Sequence, residues 1–183
     1  AIAVSSGSVA LTLAVRATWP RGTTITVSTL AFAATAEAII HAGCVPHFVD
    51  HGQPAMLGLN FYGHPPVPPG LVQDACEGLG AVGPRPQTLC LSFNGNKIIT
   101  TGGGGMVLTV NSRVAERVRH LASHAHVEGW THDDIGVNAR MPAMNAALGL
   151  AQIARLDAFL ASKRATADYY RAGLARMGLT LLE

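Results

Sequence analysis

The sequence has few charged residues, few aromatic residues and few cysteines, and these shortages exclude several classes of protein. Charged side chains make up 13% of the 183 residues, aromatic side chains make up 5%, and the formal net charge is +2. Without a basic cluster, nucleic acid is not the expected partner. Hydrophobic residues make up 49% of the chain, so we expect another subunit to cover part of its surface.

Cysteine spacing and the length of the apolar runs exclude further classes of protein. Cys44, Cys76 and Cys90 lie in apolar segments without a CxxC spacing, which predicts buried free thiols and no metal site. His124 and His126 are expected to face different sides of a helix, so they predict no metal site either. No apolar run reaches the roughly 18 residues that cross a membrane, and no signal peptide is recognisable. We therefore expect a cytoplasmic protein with no membrane partner.

Strand-like and helical segments alternate along the chain, which predicts an α/β fold with a mostly parallel sheet. Strands are predicted over 1–7, 23–29, 44–50, 58–63, 71–76, 89–94 and 105–110. Helices are predicted over 8–18, 31–43, 112–125 (charged and exposed) and most of 142–177. Functional side chains are then expected at the carboxyl ends of the strands.

Two connections are too short for the usual crossover helix between parallel strands, namely 51–57 and 64–70. The strands beside them are expected to pair differently, to skip across the sheet edge or to have lost covering helices. We accordingly expect exposed apolar faces on the strands at 58–63 and 71–76.

The segment SFNGNKIITTGGGG, residues 92–105, places Lys97 between a predicted strand and a run of glycines. Such a lysine can form a Schiff base with a carbonyl cofactor, or it can hold a phosphate beside a nucleotide. The P-loop pattern is absent, because Lys97 precedes the glycines. The glycines are expected to turn the backbone tightly beside a cofactor, or simply to lead into the next strand.

Three other features precede Lys97 along the chain, and each allows two interpretations. The SSGS run at 5–8 predicts either a helix N-cap or a phosphate site at a helix N-terminus. Phe32 is either a core residue or a plate beneath a flat ring. Asp74 lies in an apolar strand and needs a partner, which is a pyridinium N–H, an arginine or a set of backbone amides.

Taken in their order along the chain, the segments that carry these features resemble those of the DegT/DnrJ/StrS family of sugar aminotransferases. The matching segments are AVSSGSVAL (3–11), STLAFAATAEAIIHAGCVPHFVD (28–50), FYGHP (61–65), QDACEGLGA (73–81), SFNGNKIITTGGGGMVLT (92–109) and HDDIGVNARMPAMNAALGLAQIARLD (132–157). The lysine segment is similar to members that aminate the 4-keto group of nucleotide-linked sugars, such as legionaminic acid and perosamine aminotransferases. The resemblance implies a large three-layer α/β/α domain of pyridoxal phosphate fold type I over 1–141. It further implies a helical linker and the start of a truncated small domain over 142–183.

The resemblance also implies a cofactor, pyridoxal 5'-phosphate, and a role for each candidate residue. Lys97 would form the Schiff base and then shuttle a proton, and Asp74 would keep the pyridine nitrogen protonated. Glu77 would lie near the phenolic oxygen and Phe32 would stack on the ring. The phosphate would be held by Gly7, Ser8 and Ser92, and by Asn138 and Arg140 of a neighbouring subunit, in a homodimer with shared sites. Alternatively, Asn138 and Arg140 are local caps and Glu77 is a solvated loop acid.

Family members are longer than this chain and carry Glu where Gln73 stands, and these departures keep three hypotheses open. The first is an aminotransferase that transfers an amino group from glutamate to a keto group of a nucleotide-linked sugar, in surface-glycan or secondary-metabolite biosynthesis. The second is a catalytically inactive, truncated paralogue that binds pyridoxal phosphate or serves as a partner subunit. The third is a nucleotide-binding module without pyridoxal phosphate. Because the chain begins without Met, inside a predicted strand, we also expect a fragment or a trimmed protein.

Overall fold

The computed structural model describes residues 1–60, 62–64, 70–81 and 86–179. The strands are β1 (Ile2–Val4), β2 (Thr24–Ser28), β3 (Val45–Val49), β4 (Leu57–Leu59), β5 (Val72–Asp74), β6 (Thr88–Ser92) and β7 (Gly105–Thr109). The helices are α1 (Gly7–Thr18), α2 (Ala33–His41), α3 (Ser112–Leu121), α4 (Ala143–Ile153) and α5 (Leu156–Ala175). In the described part of the chain, none of the helices combines the length and hydropathy that a membrane span requires.

The strands form one sheet in the order β1-β7-β6-β5-β4-β2-β3. The run from β3 to β6 is parallel throughout, whereas β7 is antiparallel to both β6 and β1. The predicted α/β fold with a mostly parallel sheet is therefore confirmed. Leu59 pairs with Asp74, and Asp74 pairs with Cys90, so the carboxyl ends of β4, β5 and β6 lie side by side.

Helices α1, α2 and α3 cover one face of this sheet and enclose the main core. In β2, Ile25 and Val27 alternate with polar threonines and are fully buried, as expected for a strand with one face on the core. The helices contribute fully buried apolar side chains from their inner faces, including Leu11, Ile39 and Leu121. Each such side chain stabilises the fold by about 1.5–3 kcal/mol relative to an exposed one.

The prediction of a charged, exposed helix over 112–125 is wrong in its extent and in its exposure. Helix α3 ends at Leu121, and His124 and Ala125 beyond it have positive φ angles of 61° and 52°. Val114, Val118 and Leu121 recur at helical spacing and are buried against the sheet. The many charged residues on the outer face of the helix concealed this apolar stripe.

The opposite face of the sheet carries a smaller core. Ala75, Leu91, Phe93 and Ile99 are buried there, with partly buried side chains from the start of α5 packed against them. Neither α4 nor α5, both of which lie wholly within the described residues, contains a buried residue. The two C-terminal helices therefore touch the sheet mainly through the beginning of α5.

The short connections have a specific consequence for the order of the strands. The chain crosses from β3 at the sheet edge over β2 to reach β4, as one of the predicted alternatives proposed. Strands β4, β5 and β6 pair as parallel neighbours, so the alternative of a different pairing is wrong. Phe61 and residues 65–69, which belong to the predicted strand 58–63 and to the connection 64–70, lie outside the described residues.

The expectation of exposed apolar faces at 58–63 and 71–76 is met only in part by the described residues, where Tyr62 and Leu71 are exposed (75% and 46%) but the strands themselves are not. Leu57 and Val72 are fully buried, and all of β5 is buried, because both strands lie inside the sheet rather than at its edge. The exposed apolar strand is instead β3 at the sheet edge, where Val45 and Phe48 are both about half exposed (52% and 53%).

Candidate active site

A cavity of about 530 Å³ opens where the carboxyl ends of β5 and β6 meet the N-terminal ends of α1 and α2. The lining includes seven of the nine residues that the sequence proposed for a cofactor site: Gly7, Ser8, Phe32, Asp74, Glu77, Ser92 and Lys97. These residues lie up to 90 positions apart in the sequence and belong to four separate segments. The parallel sheet is what brings them together, because its strands end at one common edge.

Lys97 lies in the turn that follows β6, where its backbone N–H donates a hydrogen bond of 3.1 Å to the carbonyl of Asn94. Its side chain is mostly buried, with 18% exposed, and its Nζ lies 3.4 Å from Oε1 of Glu77. An ion pair of this exposure adds little stability, of the order of 0–1 kcal/mol. The ion pair matters for position instead, because it holds the amine of Lys97 inside the cavity.

Asp74 is the buried acid of the site, with only 4% of the residue exposed. The hydroxyl of Thr35 donates to Oδ2 over 2.7 Å, and the backbone N–H of Cys76 donates to Oδ1 over 3.0 Å. The partners of Asp74 are therefore one hydroxyl and one backbone amide, rather than an arginine or a set of backbone amides. In the described residues no basic side chain pairs with Asp74 within 4 Å. A buried carboxylate held in this way is suited to a cationic N–H donor from a ligand.

The N-terminus of α1 forms another wall of the cavity. Ser6 is the N-cap, and its Oγ accepts a hydrogen bond of 3.2 Å from the N–H of Val9, which confirms the N-cap interpretation of the 5–8 segment. The first N–H groups of a helix lie outside its own hydrogen-bond ladder. Gly7 and Ser8 supply such groups at the cavity wall, where an anion is favoured.

Gly7 also allows α1 to begin in direct contact with β6. A Cβ atom at this position would lie 2.8 Å from Cβ of Ser92 and 2.9 Å from Sγ of Cys76. Real Cβ atoms do not approach other carbon or sulfur atoms so closely, so a larger residue would push the helix away from the strand. The close approach keeps Ser92 beside the helix N-terminus.

Phe32 is 77% exposed and lines the cavity from the N-cap position of α2, so its interpretation as a core residue is wrong. The exposed ring is instead placed where it can cover a ligand. Tyr62, which is 75% exposed, lines the same cavity and was missed by the sequence analysis.

Asn138 and Arg140 lie outside the lining of this cavity. Both are exposed and belong to an extended segment after α3, which pairs by isolated β-bridges with Ser123 and Val4 respectively. The cavity of one chain therefore does not include them among its lining residues.

The three cysteines are free, as predicted. Burial raises the pKa of the Cys76 thiol, and the negative charge of Asp74 raises it further, so this thiol stays protonated at neutral pH. Burial likewise raises the pKa of Cys90. Among the described residues, no group of histidine, cysteine and acidic side chains is arranged to hold a metal ion.

Thr35 and Asn60 are two further residues that the sequence analysis missed. Asn60 is buried in the cavity wall and accepts a hydrogen bond from the side-chain amide of Gln73, the residue that replaces the customary glutamate. Oε1 of Gln73 has no hydrogen-bond partner in the described part of the chain. Thr35 lies one helical turn beyond Phe32, and that spacing is the signal that could have placed it near the site.

Comparison with known proteins agrees with this geometry. The model of the DegT/DnrJ/EryC1/StrS aminotransferase family matches residues 1–57 and 70–182. GDP-perosamine synthase of Escherichia coli O157:H7 is 34% identical over an alignment of 210 residues, which covers 93% of this chain and 57% of that protein. UDP-N-acetyl-3-dehydro-alpha-D-glucosamine 3-aminotransferase of Acidithiobacillus ferrooxidans is 29% identical, over 100% of this chain and 59% of that protein.

Solved structures show the same fold. The chain matches DesV of S. venezuelae, solved with a ketimine intermediate, with a TM-score of 0.84 and 26% identity, over 95% of this chain and 57% of that one. It matches an aminotransferase from Psychrobacter cryohalolentis with a TM-score of 0.82 and 23% identity, over 97% of this chain and 57% of that one. The predicted fold of the pyridoxal phosphate-dependent aminotransferases is thereby confirmed, although the chain spans less than 60% of the length of these relatives. The chain belongs to the DegT/DnrJ/EryC1/StrS aminotransferase family.

Proposed function

We propose that this chain is the cofactor-binding part of a pyridoxal phosphate-dependent aminotransferase that acts on a keto group of a nucleotide-linked sugar. The observation that carries the proposal is the pairing of a buried, doubly hydrogen-bonded acid with a lysine amine in one cavity. We further propose that 1–141 forms the large domain and that 142–183 forms the helical linker and the start of the small domain.

The types of residue that line the cavity suit the chemical groups of pyridoxal phosphate. Asp74 offers a buried anionic acceptor for a ring N–H, and the α1 N-terminus with Ser92 offers amides and a hydroxyl for a phosphate. Phe32 offers an exposed aromatic face, and the volume of about 530 Å³ accommodates a group of this size.

When bound, the cofactor supplies an electron sink for the negative charge that develops at the substrate carbon. Asp74 would accept a hydrogen bond from the ring N–H and so keep that nitrogen protonated. Lys97 would hold the cofactor through its side-chain amine, and the free amine would move a proton at the substrate carbon. Glu77 stands beside this amine, 3.4 Å away, and keeps it directed into the cavity.

The substrate class follows from the names of the relatives. One relative is a GDP-perosamine synthase and another is an aminotransferase for a UDP-linked keto sugar. We propose a nucleotide-linked keto sugar as amino acceptor, glutamate as donor, and a place in surface-glycan biosynthesis in the cytoplasm. Nothing in these names favours the alternative of an inactive paralogue that binds the cofactor without turnover.

We propose that the active unit is a homodimer in which Asn138 and Arg140 of one chain reach the phosphate of the other. Support comes from α4, whose large apolar side chains are exposed, among them Met144 (84%) and Leu150 (72%). An exposed apolar helix of this kind is typical of a surface that a partner covers.

A turnover assay tests the proposed activity. Purified protein, loaded with pyridoxal phosphate, is mixed with glutamate and a GDP-, UDP- or dTDP-linked keto sugar, and release of 2-oxoglutarate is followed. We expect release with the wild type and none with Lys97→Ala. Lys163→Ala, which removes an exposed lysine on α5, is the matched control and should leave release unchanged. Cofactor uptake without any release would favour the inactive paralogue.

A further inference from the structure

The contact between Thr35 and Asp74 joins two elements that are 39 residues apart in the sequence. Thr35 lies in the first turn of α2 and is completely buried. A threonine near a helix start often caps the backbone, but the N-cap here is Phe32, and no side chain caps this helix. The hydroxyl of Thr35 is directed at Asp74 instead, over 2.7 Å.

The hydrogen bond from Thr35 sets the orientation of the Asp74 carboxylate and the acceptor positions that remain on it. An ionised carboxylate only accepts hydrogen bonds, and each of its oxygens accepts about two. Thr35 occupies one position on Oδ2 and the Cys76 amide occupies one on Oδ1, so the plane of the carboxylate is set and further positions remain on both oxygens.

The backbone of the same residue holds the aromatic wall of the cavity. The N–H of Thr35 donates a hydrogen bond of 2.9 Å to the carbonyl of Phe32. Thr35 is therefore bonded at its backbone to the residue that lines the cavity mouth, and at its side chain to the acid inside the cavity. One residue thus sets the separation between the aromatic face and the acid.

We propose that Thr35 is a positioning residue that holds the Asp74 carboxyl group in a fixed orientation and at a fixed separation from Phe32. The inference rests on the proposed function, because the group that Asp74 and Phe32 receive together is the cofactor ring. Thr35 itself does not line the cavity and acts only through these two neighbours.

The test is cofactor affinity in variants that separate the hydroxyl from the shape of the side chain. Thr35→Val keeps the branched shape and removes the donor, whereas Thr35→Ser keeps the donor. Pyridoxal phosphate is titrated into each apo protein and Kd is read from absorbance. We expect Thr35→Val to raise Kd at least about tenfold, which is the loss of about one charge-assisted hydrogen bond, and Thr35→Ser to stay within about threefold.

A double-mutant cycle shows whether the effect passes through Asp74. In an Asp74→Asn background, Thr35→Val should change Kd less than about twofold, because the carboxylate it acts on is gone. A purely structural role would lower affinity equally in both backgrounds, and that result would overturn the proposal. Equal affinity of wild type and Thr35→Val would also overturn it, as would a Thr35→Ser variant as weak as Thr35→Val.

Two further readouts keep the outcomes distinct. If Thr35→Val does not fold, as judged by the melting temperature of the apo protein, Thr35→Ala takes its place with the same expected loss of affinity. At saturating cofactor, borohydride reduction should still tag Lys97 in the valine variant, because the lysine is untouched. A wild type that binds no pyridoxal phosphate overturns the proposed function and this inference together, whereas a failed cycle with a cofactor-binding wild type overturns the inference alone.

Discussion

Asp74 and Lys97 carry the opposite charges of the site, and the structure holds each with a different kind of contact. The acid is buried and receives two short neutral hydrogen bonds, from Thr35 and Cys76. The amine is less deeply buried and faces a half-exposed carboxylate, Glu77. The acid thus has two hydrogen-bond donors, whereas the amine has one half-exposed partner and a single contact to give up, which suits the proposed role of Lys97.

A second acid, Asp134, shows how charge supports the segment that leads to Asn138. The backbone N–H of Ile135 lowers the pKa of Asp134, and the guanidinium of Arg117 lowers it further. A lowered folded-state pKa stabilises the protein above the unfolded value of about 4, and this contribution is lost as the pH falls through the folded-state value.

We therefore expect Asp134→Asn to lower the melting temperature at pH 7 by about 2–4 °C, as a loss of about 1 kcal/mol does in a domain of this size. The difference from wild type should shrink as the pH falls from 5 to 3. Asp168→Asn is the control, because its ion pair with Arg171 is exposed and should contribute little. A constant difference across this pH range would contradict the account.

At the scale of single residues, sequence reasoning finds residues whose chemistry is unusual for their surroundings. It misses residues that act through those residues. Asp74 was found because an acid in an apolar strand needs a partner, and Lys97 because it precedes a run of glycines. Thr35 and Asn60 look ordinary in the sequence, and only the paired strands and the packed helix bring them to Asp74 and Gln73.

Among the elements, α1 and β7 make a close backbone contact that supports the site. Gly105 begins β7 directly against the backbone of Ser6 and Gly7, where a Cβ atom would overlap the carbonyl group of Ser6. The helix N-terminus therefore keeps its place beside the sheet only while position 105 has no side chain.

We expect Gly105→Ala to lower the free energy of unfolding by about 1–3 kcal/mol, because backbone atoms must move to admit the methyl group. Gly103→Ala is the matched control, since a Cβ atom there meets nothing within 4 Å, and its effect should stay within about 0.5 kcal/mol. Urea denaturation of both variants measures the difference. Equal midpoints would show that α1 and β7 are not so closely packed.

The alternation of strands and helices could be predicted because periodicity is a local property, but the ends and the exposure of the elements could not. Strands β4 and β5 are only three residues long each, and neighbouring strands rather than their own sequence bury them. In α3, three buried apolar residues are separated by charged ones, so composition pointed to exposure while the spacing pointed to burial.

For the whole molecule, the main question is what covers the apolar surface of α4. No residue of this helix is buried in one copy of the chain, although its composition is largely apolar. The relatives also carry residues that this chain lacks, since the alignment with the perosamine synthase has 210 positions but includes only 93% of this chain. The exposure of α4 is not readable from periodicity, because it concerns what lies outside one copy of the chain.

We expect Leu150→Glu to convert a dimer into monomers, because the new charge would be buried against the second copy. Cofactor affinity should fall together with dimerisation if Asn138 and Arg140 act on the partner's phosphate. Ser162→Glu adds the same charge to an exposed position of α5 and should leave both properties unchanged. Analytical ultracentrifugation with a parallel cofactor titration gives the answer; a stable dimer of Leu150→Glu would contradict the proposed interface.

The most direct test of the account is the covalent fate of Lys97. Protein saturated with pyridoxal phosphate is reduced with borohydride, digested and mapped by mass spectrometry. We predict a pyridoxyl group on the peptide that contains Lys97 and on no other lysine peptide in stoichiometric amount. Folded, cofactor-saturated protein with an unmodified Lys97 would contradict the central claim.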